Sequence, residues 1–137
     1  MIVVDTSPLV AILNEKDNDH QRCIDWVSRV SEPLIIPAPI LAEVCYLVSR
    51  EAGPRVEAIF LRELAASPRF ELASLGNDDL LRMAELVEKY ADFPLGGSDA
   101  SVIAVAERFG VHTVATLDIR HFAAVQPSHV PSFTLVP

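Results

Sequence analysis

The sequence is poor in cations, in cysteine and in long apolar runs, and each shortage removes a class of function. Eleven lysines and arginines stand against nineteen aspartates and glutamates, for a net charge of −8. A chain this acidic has no broad basic face with which to hold nucleic acid through counterion release. Chemistry on phosphate is not excluded, because an acidic site can approach phosphate by way of divalent cations. The two cysteines, Cys23 and Cys45, are far apart and lie in helical patterns, which matches neither a zinc site nor a disulfide framework. They are predicted to be buried free thiols, as suits a reducing compartment. No stretch approaches the roughly 18 apolar residues of a membrane span. The N-terminus runs straight into Ile2-Val3-Val4 and Asp5 with no leader-like pattern, so a cytoplasmic protein with no membrane contact is expected. Repeats, low-complexity tracts and long linkers are also missing, and residues 1–137 read as a single domain.

What is present is apolar residues, which make up 50% of the chain. At this length a core burying about 70% of the unfolded surface is expected. Ile2-Val3-Val4 and Leu34-Ile35-Ile36 are continuous β-branched and leucine runs, the pattern of strands buried on both faces. Phe70-Glu71-Leu72, Val111 to Thr116 and Phe133 to Val136 read as further strands, the last at a sheet edge. Between them lie helical patterns. Leu9–Leu13 follows Pro8 at a first helical position. A second helix opens at Asp17-Asn18-Asp19, and Pro39 begins a third with Ile40, Leu41, Val44, Leu47 and Val48 as its stripe. Val56–Ala66 follows Gly53-Pro54. Asn77 to about Tyr90 comes next, with Leu80, Met83, Ala84 and Val87 inward. Ser98 reads as the N-cap of a helix from Ala100 to Phe109 that is apolar on nearly every face, stopped by Gly110. Strands alternating with helices give an α/β fold with a mostly parallel sheet of about five strands.

In such sheets ligands sit outside the carboxyl ends of the strands, and four carboxylates are placed to reach that rim. Asp5 ends the first strand, Glu43 lies on the helix after the second, and Asp99 stands in the first turn of the apolar helix. Asp118 follows the fourth strand. Two ionised groups about 5 Å apart repel by about 3 kcal/mol at an effective dielectric near 20. Four together therefore require protonation or a multivalent cation. Oxygen ligands without a histidine or cysteine cluster select Mg²⁺ or Mn²⁺ over zinc, and carboxylate-held metals are common apparatus for phosphodiester hydrolysis.

Four blocks carry a resemblance. They are Val4-Asp5-Thr6-Ser7, Pro39 through Glu43-Val44, Tyr90-Ala91-Asp92-Phe93-Pro94-Leu95-Gly96 on to Asp99-Ala100-Ser101, and Ala115-Thr116-Leu117-Asp118 with Arg120-His121-Phe122. In this order and at these separations the chain resembles the PIN-domain ribonucleases, in particular the VapC-type toxins of toxin–antitoxin modules, from Ile2 to Pro137. The resemblance implies a three-layer α/β/α sandwich and Mg²⁺- or Mn²⁺-dependent endoribonuclease activity. It also implies homodimerisation and an antitoxin protein that inserts residues into the acidic site. It assigns metal binding and catalysis to Asp5, Glu43, Asp99 and Asp118, with Thr6 and Thr116 as supporting hydroxyls and Asp92 as a frequently acidic loop position. It does not select among tRNA, rRNA and mRNA as the RNA cut.

Two other functions fit parts of the pattern. An aspartyl-phosphate phosphatase would also place an aspartate after the first strand, yet it wants a second at position 7, which is Ser7, and a late lysine, whereas Lys89 is the last. A non-catalytic protein could use the acidic pocket only to bind an antitoxin or RNA. His121 reads as an imidazole packed near the last strand, since metal-activated water needs no histidine base. Trp26, Phe60 and Leu64 read as core or subunit contacts, and Arg50, Arg55, Arg62, Arg108 and Arg120 as solvated charge.

Overall fold

A computed structural model describes residues 1–137. Five strands form one sheet in the order β3-β2-β1-β4-β5: β1 Ile2–Val4, β2 Leu34–Pro37, β3 Phe70–Ala73, β4 Thr113–Ala115 and β5 Thr134–Val136. Every pairing is parallel, with Val3 opposite Ile35 on one side and Val114 on the other. β1, β2 and the inner residues of β4 are buried throughout, because a central parallel strand has no solvent face and its sequence must be apolar at every position.

Seven helices flank the sheet: α1 Thr6–Leu13, α2 His20–Arg29, α3 Ala38–Ala52, α4 Pro54–Ala66, α5 Asn77–Lys89, α6 Gly97–Phe109 and α7 Ile119–Ala124. The predicted burial of α6 is met, since Ala100 to Ala106 are all buried. Its C-terminus closes on Gly110 at φ +65, the left-handed position that a glycine adopts without a Cβ clash.

Its start differs from the expectation. Gly96, not Ser98, caps α6, and Asp99 at the third helical position faces back toward the Gly96 amide. α5 repeats the device: the Gly76 N–H donates to Asp79 Oδ2 at 2.8 Å. In both helices the carboxylate of the first turn supplies the cap, as the acidic half of a capping box does.

The inward face of α5 also differs. Leu86 is fully buried and Met83 partly so, while Leu80, Ala84 and Val87 are exposed. Polar anchors set this rotation. Arg82 donates to both carboxylate oxygens of Glu107 on α6, at 2.8 and 2.9 Å, and Asp79 pairs with Arg108 at 3.4 Å. A bidentate pair of this kind fixes orientation more narrowly than an apolar stripe. Burial alone would raise the Glu107 carboxyl, but the Arg82 hydrogen bonds hold it below its ordinary range.

Smaller departures have local causes. Pro8 sits inside the first turn of α1, Pro37 ends β2 and Pro39 sits inside the first turn of α3. All three places lack a ladder or intrahelical demand for the missing N–H. α7 is a helix that periodicity does not announce. Cys23 is buried, Cys45 is half-buried, and both are free thiols. Phe60 joins the core directly, with Trp26 and Leu64 packed against it.

Candidate active site

From β1 the chain turns to β2 and β3 on one side and later to β4 and β5 on the other. The carboxyl ends of β1 and β4 therefore face the reversal point, where open parallel sheets leave a crevice. Register places Val4 beside Ala115, and the Asp5 N–H extends the ladder to the Ala115 carbonyl at 2.9 Å. Asp5 emerges at the mouth of the crevice as the first residue past β1 and the N-cap position of α1.

A cavity of about 530 Å³ opens there, and its wall includes Asp5, Glu43, Asp99 and Asp118. The four acids come from the β1–α1 junction, α3, α6 and the β4–α7 turn. Thr6 and Ser7 line the same cavity, and so do Asp17 and Asp19 from the turn before α2. No lysine or arginine does. As they stand, no three acidic or histidine side chains close into a cage tight enough to enclose an ion. The carboxylates share an open bowl.

Hydrogen bonds stiffen one side of the bowl. The Asp118 N–H donates to Thr116 Oγ1 at 2.9 Å, and Thr116 Oγ1 donates in turn to Asp5 Oδ2 at 2.8 Å. Ser7 Oγ accepts from the Leu117 N–H at 2.9 Å and reaches Asp5 Oδ2 at 3.4 Å. The ends of β1 and β4 are thus laced through hydroxyls, and Asp5 has one oxygen committed. Thr6 contrasts with Thr116: its Oγ1 is buried without a hydrogen-bond partner, although buried hydroxyls are normally satisfied.

Asp5 is only 5% exposed. Burial pushes its carboxyl up to about 6 from 3.8, with Asp99 and Glu43 adding repulsion, against the lowering hydrogen bonds of Thr116 and the Thr6 amide. Burial also raises Asp99, with Asp118 and Glu43 repelling it while His121 and the Gly96 amide act the other way. These mutual repulsions carry the electrostatic signature of a shared neighbourhood.

Three residues depart from, or add to, the sequence reading. His121 does not simply pack near the last strand: from the first turn of α7 its Nδ1 pairs with Asp118 Oδ2. Asp118 also accepts from the His121 N–H as the cap of α7. Ser7 belongs to the site, and its place two residues after Asp5 was the available signal. Asp17 and Asp19 reach the wall from a turn that reads in sequence as a helix start. Asp92 lies exposed in the loop between α5 and α6 and is not part of the cavity wall. Arg50 pairs with Glu51 and Arg108 with Asp79, whereas Arg120 has no ion pair.

Comparison with known proteins agrees with this architecture. The PIN-domain family model matches residues 2–126. Ribonuclease VapC26 of Mycobacterium tuberculosis is 34% identical over 136 residues, which spans 99% of this chain and 100% of that one. The crystal structure of VapC20 of M. tuberculosis, described as a sarcin–ricin loop cleaving toxin, superposes with a TM-score of 0.83 at 20% identity. It covers 95% of this chain and 98% of that one. VapBC2 of Rickettsia felis, bound to a DNA fragment from its promoter, gives 0.67 at 19% identity, over 98% of this chain and 97% of that one. The two structures support the fold, and the family model and the full-length relative support kinship. With the β1–α1 junction, α3, α6 and the β4–α7 turn each delivering an acid to one crevice, the chain belongs to the PIN-domain family.

Proposed function

We propose that this protein is a metal-dependent endoribonuclease acting as the toxin of a toxin–antitoxin pair, and that Asp5, Glu43, Asp99 and Asp118 carry its chemistry. The observation behind this reading is the gathering of those four carboxylates around one cavity. The donor set fits a hard divalent cation: every candidate ligand is an oxygen, and softer or nitrogen donors do not line the wall. Asp5, Glu43, Asp99 and Asp118 would hold Mg²⁺ or Mn²⁺. Such an ion lends Lewis acidity to a phosphoryl oxygen and acidifies a nearby water.

The chain's own residues set the stage for that chemistry. Thr116 orients the Asp5 carboxyl, and His121 pairs with Asp118, as an outer-shell partner fixes a ligand. A phosphodiester cannot enter a bowl of six carboxylates unaided, so substrate and cation would bind together. The substrate class follows from kinship with ribonuclease VapC26. The reading extends to an antitoxin partner that inserts residues into the acidic site, a homodimer, and a single domain over residues 1–137.

Asp5→Asn and Asp99→Asn are each expected to abolish Mg²⁺-dependent RNA cleavage by the purified protein and to relieve growth arrest on expression. Undiminished cleavage by both variants would overturn the assignment. Retained antitoxin or RNA binding by a wild type that cleaves nothing would favour the non-catalytic pocket.

A further inference from the structure

The cavity wall holds six carboxylates and no lysine or arginine. A nucleic acid strand needs favourable contacts beyond it, and they must lie close by. Arg22, beside the Asp17–Asp19 turn, is already engaged: Asp19 lies at 3.7 Å, and the Pro137 carbonyl accepts from it at 2.8 Å.

A neighbour on the Asp118 side is different. Phe93, in the loop leading to Asp99, packs against the His121 ring with centroids 5.0 Å apart and planes tilted by 59°. The Arg120 guanidinium lies 6.0 Å from the Phe93 ring centre. Arg120 is exposed and has no carboxylate partner, in a protein where acids outnumber cations. His121 in turn touches Asp118 on the cavity wall. An aromatic ring, an imidazole and a free guanidinium thus form a continuous shelf that ends at a site carboxylate.

We propose that Phe93, Arg120 and His121 form a subsite for single-stranded RNA, seating the nucleobase and phosphate of the nucleotide next to the phosphodiester addressed by the carboxylates. The inference rests on the nuclease reading for the identity of the strand. Stacking on aromatic rings and guanidinium planes accepts any base, because every base has a π-face. A free guanidinium beside the ring adds a bidentate donor for phosphate. The shelf would therefore bind without strong sequence preference and leave selection to RNA shape. It also gives His121 a second role, since the ring that steadies Asp118 borders the bound base.

Tryptophan fluorescence tests the subsite directly. Phe93→Trp, titrated in Mg²⁺ with a short single-stranded oligoribonucleotide of mixed sequence, should show saturable quenching. The wild type, whose one tryptophan Trp26 packs against the core, serves as the blank. Phe93→Ala and Arg120→Ala should each weaken binding of the same oligonucleotide by at least about fivefold, with the Mg²⁺-induced rise in Tm unchanged. Arg120 is exposed at a helix surface, so its variant reads out even if the Phe93 loop tolerates change poorly. An unquenched Phe93→Trp together with wild-type affinity in Arg120→Ala would overturn the subsite, and a wild type that still cleaves RNA would leave the nuclease reading intact. Quenching with no cleavage by the wild type would sink the nuclease reading and leave the subsite standing.

Discussion

Replacing Asp5 by asparagine should make the metal-free protein more stable at neutral pH, and the gain should vanish on acidification. The folded carboxyl is raised to about 6 against 3.8 in the unfolded chain. An acid whose folded value is raised favours the native state when protonated. Its contribution is complete below pH 3.8, is lost as pH rises from there to about 6, and stays lost above. The shift is worth about 3 kcal/mol at pH 7.5 and about 0.5 kcal/mol at pH 4, at 1.36 kcal/mol per unit. Asparagine removes this penalty and can still accept from Thr116 through Oδ1. Its NH₂ replaces an acceptor beside the Thr6 amide, which costs about 1 kcal/mol. The net expectation is a gain of about 2 kcal/mol at pH 7.5 and a slight loss at pH 4. For a chain of this size that gain is a Tm increase of about 6 °C. Thermal melts of both proteins in EDTA at the two pH values decide the matter. Destabilisation of equal size at both would show that Asp5 carries no desolvation penalty, and the electrostatic account of the site would fail with it.

Three further outcomes follow from the same geometry. Mg²⁺ should raise the Tm of the wild type, by about 2.7 kcal/mol of stabilisation at one hundred times Kd, and should raise that of Asp99→Asn far less; equal responses in a melting titration would place the ion elsewhere. Thr116→Val removes the donor to Asp5 and strands the Asp118 N–H, so chemical denaturation should show a loss of about 1–3 kcal/mol. Gly110→Ala puts a Cβ on a residue at φ +65 where no neighbouring atom lies within 4 Å. The loss, read by the same denaturation, should be about 1 kcal/mol from backbone strain alone.

The central strands, the buried helix and the places of Asp5 and Asp99 were legible in the sequence because one physical condition marks them, whereas Glu43 and Asp118 stood out only through the four-block resemblance. A strand or helix with no solvent face must be apolar throughout, so Ile2-Val3-Val4, Leu34-Ile35-Ile36 and Ala100–Ala106 stand out, and so does any charge that abuts them. The rest depended on contacts between distant segments. α5 turns by the grip of Arg82 on Glu107 and Asp79 on Arg108, and those pairs cannot be read from an apolar stripe that suggests Leu80 and Val87 as the inner face. The cap of α6 was misplaced because Ser98 is a good cap by type, whereas Asp99 reaches back to Gly96. α7 is too short for periodicity to reveal, and so the direction of His121 was hidden. Asp17 and Asp19 read as a helix start and only folding shows them on the cavity wall.

The site acids share a further property that explains how a small domain keeps mutually repelling carboxylates in place. Asp5 follows Val4, Glu43 precedes Val44, Asp99 precedes Ala100, and each of these apolar neighbours is wholly inaccessible. Asp118 comes two residues after Thr116, itself 1% exposed. Each acid is therefore one short step from a backbone that cannot move without opening the core. Repulsion among the acids can rotate side chains but has little leverage on Cα positions, because displacing one means exposing apolar surface at about 25 cal/mol per Å². A cation entering the bowl would have only side-chain rotamers to draw in. Pre-placement of this kind lowers the ordering cost of binding. It also makes the site sensitive to changes beneath it: shortening Val4 or Val44 would loosen an acid as well as the core.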